Sequence, residues 1–340
     1  MILKYEDIIT ITKGAVRLEE EPDGIHFYRF TKEQEELYKE YNDDFYNKSF
    51  SCTGVRFSFR TDSSKMNLSF ELSKSSSRSY FAFDIFVDGE YHSSLCNFDD
   101  NEIPEMYPHK GYELGEFSEE FILGEGEKEI TVYFPFSVKS VLKEMSLDDG
   151  AYIKPVKYDK KILMFGDSIT HGYDALHTSG NYATRLADAL GAELINKGIG
   201  GEIFFPALAK SKDDFEPEYI TVAYGTNDWN RLTDPADFEN NCREFYEALS
   251  KNYPNTKIFA ITPIWRKDCN EERTFGEFSE VEKIIRDVTG KIENVICISG
   301  FDLVPHREEC FGDLYLHPNN EGFEYYFKNL YDEIKKYLNR

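Results

Sequence analysis

The sequence predicts an antiparallel, jelly-roll-like β-sandwich over residues 1–150, followed by an α/β domain with a parallel sheet over residues 151–340. Three observations predict it. Short stretches of strict apolar–polar alternation fill the first part, as in strands with one face in a core and one in water. After Asp148-Asp149-Gly150 the pattern becomes short apolar runs separated by helical repeats, which suits a parallel sheet covered on both faces. The chain has 340 residues, room for two domains of the usual ~100–200 residues.

In the first part, Val55, Phe57 and Phe59 alternate with Arg56, Ser58 and Arg60. Met66, Leu68, Phe70 and Leu72 repeat the pattern, then Phe81, Phe83, Ile85 and Val87, then Ile130, Val132 and Phe134. Asp88-Gly89 is a hairpin turn signal. Lys32–Tyr41 alone has helical spacing, and Ser75–Arg78 reads as an exposed loop between strands. The change of rhythm puts a boundary near residues 148–160.

In the second part, Lys161–Phe165, Glu193–Ile195, Tyr219–Tyr224, Lys257–Ile261 and Val295–Ile298 are apolar runs of strand length. Between them, Phe238, Cys242, Phe245, Tyr246 and Leu249 share one helical face, as do Phe323, Tyr326, Phe327, Leu330, Tyr331, Ile334, Tyr337 and Leu338 at the end.

Ligands of such a sheet bind beyond the carboxyl ends of its strands, so the residues just after each run carry the information. These are Gly166-Asp167-Ser168-Ile169-Thr170, Asn196-Lys197-Gly198-Ile199-Gly200-Gly201-Glu202 and Gly225-Thr226-Asn227-Asp228-Trp229; Asp313-Leu314-Tyr315-Leu316-His317-Pro318-Asn319 precedes the last helix. A serine, a glycine-rich turn, an asparagine and a histidine thus gather at one edge, as acyl transfer requires. A serine hydroxyl is a weak nucleophile without a base, and His317 is placed to take its proton and return it to the leaving group. The charge of a tetrahedral intermediate needs fixed donors, each worth ~2.7–4 kcal/mol of barrier. The backbone N–H groups of Ser168 and Gly201 and the Asn227 amide are the candidates. Taken singly, Ser168 or Asn227 also fits a helix cap and Gly201 a turn glycine, but these are the lesser readings and leave the set unexplained.

The four segments, GDSIT, NKGIGGE, YGTND and LHPN in that order, resemble the sequence blocks of the SGNH (GDSL-type) hydrolase family. The blocks are spread over residues 166–319, and the resemblance covers the whole C-terminal half. It implies a flavodoxin-like three-layer domain of strand order 2-1-3-4-5, with Ser168 as nucleophile, Gly201 and Asn227 as oxyanion donors and His317 as base. The family places an aspartate three residues before the histidine; here that position is Leu314, and Asp313 stands four before. Either a small bulge brings Asp313 to the ring, or a backbone carbonyl holds His317 in a Ser-His dyad, as in some carbohydrate esterases of the superfamily. Asp302 and Glu308 are alternatives further upstream.

Of the neighbouring residues, Asp167 reads as a turn stabiliser, His171 and His177 as surface or pocket-lining groups, and Arg266 as a solvated charge. Trp229 and Trp265 both follow strand ends and are candidate platforms for a sugar ring. Metal and cofactor are not expected, since the six cysteines form no CxxC pair; they read as reduced thiols.

Acidic residues outnumber basic ones 63 to 39, for a net charge of −24, a balance that repels nucleic acid and anionic membranes and favours neutral substrates. No run of ~20 apolar residues spans a bilayer, and the start MILKYEDIITITKG has no secretory pattern, so the expected compartment is the cytoplasm. A sandwich ahead of an SGNH domain is similar to carbohydrate esterases that remove acetyl groups from plant polysaccharides. The expected activity is therefore release of acetate from O-acetyl-oligosaccharides through an acyl-enzyme on Ser168. Lipid-directed esterase, lysophospholipase or thioesterase activity is an alternative, as is an inactive hydrolase that binds carbohydrate. Oligomeric state is open.

Overall fold

The structure is a computed structural model that describes residues 1–338. The alternating stretches of the first part become eleven strands: β1 (Thr12–Lys13), β2 (Arg17–Glu21), β3 (Gly24–Tyr28), β4 (Arg56–Thr61), β5 (Lys65–Lys74), β6 (Ala82–Val87), β7 (Glu90–Cys96), β8 (Gly115–Ile122), β9 (Lys128–Tyr133), β10 (Val138–Leu147) and β11 (Lys154–Pro155). They form two antiparallel sheets, β1-β4-β9-β6-β7 with β11 also on β4, and β2-β3-β10-β5-β8. Period two explains the packing. Met66, Leu68, Phe70 and Leu72 of β5 are all buried and meet Phe57, Phe59, Phe83, Ile85, Ile130 and Val132 of the opposite sheet in one core. Phe70 stacks on Phe83 across the sandwich at 4.2 Å, and Phe134 meets both edge-on. Removing one such ring costs ~3–5 kcal/mol. Asp88 and Gly89, both at positive φ, join β6 to β7 as a two-residue hairpin requires.

Three helices accompany these strands: α1 (Tyr5–Ile11), α2 (Lys32–Tyr41) and α3 (Asp43–Ser49). The spacing predicts α2, whose Thr31 and Gln34 form a capping box; α1 and α3 are too short to show a period. Tyr38 and Phe45 leave the sandwich core and pack with Phe205 in the core of the second half. The Ser75–Arg78 loop departs from its expected exposure, for Ser75, Ser76 and Arg78 are buried. Arg78 is drawn inward by a carboxylate described below.

Five strands of the second half, β12 (Lys160–Gly166), β13 (Ala192–Asn196), β14 (Tyr219–Ala223), β15 (Lys257–Ile261) and β16 (Val295–Ile298), form a parallel sheet of order β13-β12-β14-β15-β16. This is the expected 2-1-3-4-5. Its helices are α4 (Ser168–His171), α5 (Tyr182–Ala189), α6 (Pro206–Lys210), α7 (Thr226–Arg231), α8 (Pro235–Asn252), α9 (Ser279–Thr289) and α10 (Asn320–Leu338). Leu163 and Phe165 of β12 face the side covered by α6, α8 and α9, while Ile162 and Met164 face α5 and α10. Burial on both faces is why these strands read as unbroken apolar runs. The chain reverses direction across the sheet between β13 and β14, on either side of β12, so the carboxyl ends of these three strands open a crevice there. Among the described residues, no helix is long and apolar enough to cross a membrane.

Candidate active site

The turn after β12 sets Ser168 at that crevice. Asp167 caps α4 by accepting the Ile169 N–H at 2.9 Å, the turn-stabilising part expected of it, and burial pushes its carboxyl up to about 6. Gly166 has no alternative here: a Cβ would lie 2.0 Å from Thr170 Oγ1 and 2.9 Å from the Ala223 carbonyl. Ser168 is 3% exposed, and its Oγ lies 2.8 Å from His317 Nε2.

Behind His317, the extra residue before it is absorbed by Leu314, which takes the left-handed conformation at φ 54. The turn wraps Asp313 so that Oδ1 accepts the N–H groups of Tyr315, Leu316 and His317 at 3.0, 2.8 and 3.1 Å. Oδ2 is left 2.6 Å from His317 Nδ1. Burial works to raise the pKa of Asp313, but the hydrogen bond and charge of His317 and the backbone donors overcome it and hold the carboxylate well below its usual range. An ionised Asp313 assigns the proton to Nδ1 and leaves Nε2 free to accept from Ser168.

A second carboxylate stands close by. Asp174 Oδ2 is 3.9 Å from His317 Nδ1, fully buried and without a hydrogen-bond partner among the described residues. Its other oxygen accepts from Arg78 Nε at 2.7 Å, and Tyr107 donates to its carbonyl. Burial raises the Asp174 pKa against the opposing charges of His317 and Arg78. The first half of the chain thus reaches the immediate surroundings of the histidine. Nothing in the sequence signals Arg78 or Asp174.

The glycine-rich loop is held residue by residue from the first half. Buried Arg29 donates to the carbonyls of Asn196 and Gly198 at 2.7 and 3.2 Å, and also to Ser51 and Lys48 carbonyls. Burial pulls its pKa down to about 10. Lys197 Nζ meets Gln34 at 2.7 Å and Asp213 at 2.8 Å, and Lys48 Nζ donates to the Gly200 carbonyl at 2.8 Å. Tyr38 and Tyr224 each donate to Glu202 at 2.6 Å, whose carboxyl is pushed up to about 8 by burial. The one sequence signal for Arg29 is a lone charge inside an otherwise apolar and aromatic run, His26-Phe27-Tyr28-Arg29-Phe30.

Gly201 has φ +85, a conformation costly for other residues. Asn227, one residue into α7, donates one amide hydrogen to the Glu202 carbonyl at 3.0 Å; its second remains for a ligand. Gly200 N–H donates to His171 Nδ1 at 3.2 Å and its Cα faces the Tyr173 hydroxyl. The Tyr173 ring lies 5.5 Å from the His317 ring. Ser168, the glycine loop and His317 are therefore linked through a short chain of contacts, and Asn227 is tied to the same loop.

Several neighbours differ from expectation. Trp229 is 1% exposed, donates its indole N–H to Gly276, and has Phe278, Arg266 and Arg273 against its ring; it packs and offers no face to a sugar. Trp265 is half-buried, stacked on His306 and tilted against Phe311. Arg266 is buried rather than solvated: it clasps Asp268 and donates to the Thr226 carbonyl and hydroxyl at 3.0 Å, bracing the residue before Asn227. His171 is a core group, neutral because burial drives its pKa well down, with Nε2 on the Phe136 carbonyl and Ser51. His177 bridges Asp84 at 2.5 Å and Asp100 at 2.9 Å. The six cysteines are free thiols.

Residues 164–325 match the GDSL-like lipase/acylhydrolase family. None of the curated proteins matches the chain. Among solved structures, the salicylyl-acyltransferase SsfX3 from a tetracycline biosynthetic pathway is 21% identical, with a TM-score of 0.81 over 96% of this chain and 94% of its own. A family two carbohydrate esterase from Clostridium thermocellum in complex with cellohexaose is 14% identical, with a TM-score of 0.67 over 96% and 99%. The acetyl xylan esterase Est2A from the rumen bacterium Butyrivibrio proteoclasticus is 18% identical, with a TM-score of 0.57 over 84% and 90%. At these identities the likeness is one of fold, and it extends through both halves of the chain. By sequence and by fold, residues 164–325 form a GDSL-like lipase/acylhydrolase domain.

Proposed function

We propose that this chain removes O-acetyl groups from carbohydrates through an acyl-enzyme on Ser168. The observation that carries the reading is the relay from Asp313 through His317 to Ser168 at 2.6 and 2.8 Å. Ser168 Oγ attacks the acetyl carbonyl carbon while its proton passes to His317 Nε2. The resulting oxyanion is met by the N–H groups of Ser168 and Gly201 and by the Asn227 amide. Collapse breaks the bond to the sugar oxygen, which takes the proton from His317. Water then repeats the sequence and releases acetate. The low pKa of Asp313 keeps it ionised, so it stabilises the imidazolium formed in each half.

The sugar class is supported by the likeness in fold to two carbohydrate esterases. We read residues 1–150 and 151–340 as two units, the first supplying Arg29, Tyr38, Lys48 and Arg78 to the site of the second. Six free thiols suit a reducing compartment, and we place the protein in the cytoplasm on that ground. The test is acetate release from acetylated oligosaccharides against hydrolysis of 4-nitrophenyl acetate and octanoate. Deacetylation that disappears in Ser168→Ala supports the reading. Faster octanoate cleavage with no acetate from sugars would replace it with a lipid-directed esterase.

A further inference from the structure

Beside the glycine loop, one cation stands without an ion-pair partner among the described residues. Arg231 ends α7, the helix that carries Asn227, and its side chain is exposed. A Cβ placed on Gly201 would lie 2.7 Å from Arg231 Nη2, so the guanidinium hangs over the proposed oxyanion donor. Its one aromatic neighbour within reach is Phe45, 5.8 Å from the guanidinium carbon to the ring centre. Among the described residues it makes no hydrogen bond and no ion pair. In a chain with 63 acidic and 39 basic residues, a guanidinium without a carboxylate is against the prevailing pattern.

Its setting is built rather than bare. Tyr41, at the end of α2, is 48% exposed and stacks on Phe205 at 4.4 Å, with Phe45 6.0 Å away. The Tyr41 hydroxyl lies in the field of Arg231 and of two buried acids, Glu202 and Asp228. Burial pushes those acids up to about 8 and about 7, so near neutral pH Glu202 is largely protonated and Asp228 only partly ionised, and together they offset the Arg231 charge in part. An aromatic face and an incompletely neutralised guanidinium therefore flank the place where an ester carbonyl would be held. A planar, bidentate donor of this kind matches a carboxylate.

We propose that Arg231 selects esters that carry a carboxylate a few bonds from the scissile carbonyl, with the exposed face of Tyr41, backed by buried Phe205, receiving the ring or chain that bears it. This rests on the esterase reading above and narrows its substrate to acidic sugars, an O-acetylated uronic acid unit. It opposes the preference for neutral substrates that the overall charge suggests, because a nearby unscreened charge outweighs a diffuse one beyond the ~8–10 Å screening length of salt.

The test uses the full chain and two substrate pairs. One pair is O-acetylated methyl glucuronide against O-acetylated methyl glucoside, with the acid on the alcohol side. The other is 4-nitrophenyl hemisuccinate against its methyl ester, with the acid on the acyl side. The readout is the anionic-to-neutral ratio of kcat/KM. For the glucuronide pair a ratio of about ten or more is expected, falling to about one in Arg231→Gln and partly restored in Arg231→Lys. Lys251→Gln, remote on α8, should keep the wild-type ratio. An Arg231-dependent ratio confined to the hemisuccinate pair would keep the carboxylate recognition but move it to the acyl side, overturning the uronic acid assignment. Ratios near one in both pairs, or equal losses in Arg231→Gln and Lys251→Gln, would overturn the inference while leaving the esterase intact. Inertness of the wild type on all four esters, or hydrolysis undiminished in Ser168→Ala, would instead bring down the esterase reading itself.

Discussion

Asp313 reaches the ring of His317 from four residues away because Leu314, between them, adopts the left-handed conformation. The turn does two jobs with one carboxylate: Oδ1 gathers three backbone N–H groups and Oδ2 orients the imidazole. Leu314 is 40% exposed, so its side chain contributes little packing and its backbone matters more. Leu314→Gly should keep kcat and raise stability by up to about 1 kcal/mol, the cost of a left-handed non-glycine residue. Leu314→Pro, locked near φ −65°, should lose activity. Full activity in the proline variant would show that this turn is not what seats Asp313.

Asp313→Asn should lower kcat by about 10²–10⁴-fold, as when a triad carboxylate is neutralised and the wrong tautomer is favoured. Near-normal turnover would instead mark a Ser-His dyad. Asp174, whose Oδ2 is buried on the same side of the ring and makes no hydrogen bond among the described residues, is placed to substitute in part when Asp313 is removed. The double variant Asp313→Ala/Asp174→Asn should therefore fall at least about tenfold below Asp313→Ala alone. Equal rates would confine Asp174 to its bond with Arg78.

Arg29 is the cation whose removal should separate catalysis from binding. Arg29→Met leaves the carbonyls of Asn196 and Gly198 without their donor, a loss of about 1–3 kcal/mol for each buried unpaired group. The measured result should be a lower Tm and a kcat at least about tenfold down with KM nearly unchanged, since the loop that holds Gly201 is loosened. Arg29→Lys, which keeps the charge but not the fork, should recover the Tm better than the kcat. A variant with intact kcat would mean that the glycine loop holds its shape by itself.

His177 predicts a pH dependence of stability. Burial pulls its pKa down, but hydrogen bonds and charges from Asp84 and Asp100 outweigh this and push it up to about 9. A folded-state value above the unfolded one, near 6.5, stabilises the fold fully below pH 6.5 and loses that contribution as pH rises through about 9. Thermal unfolding of wild type and His177→Gln should differ most near pH 6 and converge by about pH 10. A gap that stays constant with pH would assign His177 to packing alone.

Much of this architecture is readable from the chain because it depends on local repetition. The five apolar runs and the α10 face follow from burial on both sides of a parallel sheet, and β5 from burial on one side. Ser168, Gly201, Asn227 and His317 are legible because each ends or follows a strand or precedes a helix. What escapes is long-range. Arg78 meets Asp174 across 96 residues, and Tyr38 meets Glu202 across 164; no local pattern encodes such pairs. Trp229 and Arg266 show the reverse case, where a position at the active edge suggests exposure but a buried partner, Gly276 or Asp268, claims the side chain.

The grip of Arg29 on Asn196 also has a consequence in time. The two residues are 167 positions apart, so at ~5–20 residues per second the ribosome makes the arginine roughly 10–30 s before its acceptor exists. During that interval a cation destined for full burial has only water or nearby carbonyls as partners. The segment after β3 that carries it therefore completes its environment late, when the parallel sheet docks. Hydrolytic competence should then appear as a single late event in biosynthesis, after both halves have been made, and not accumulate gradually with chain length.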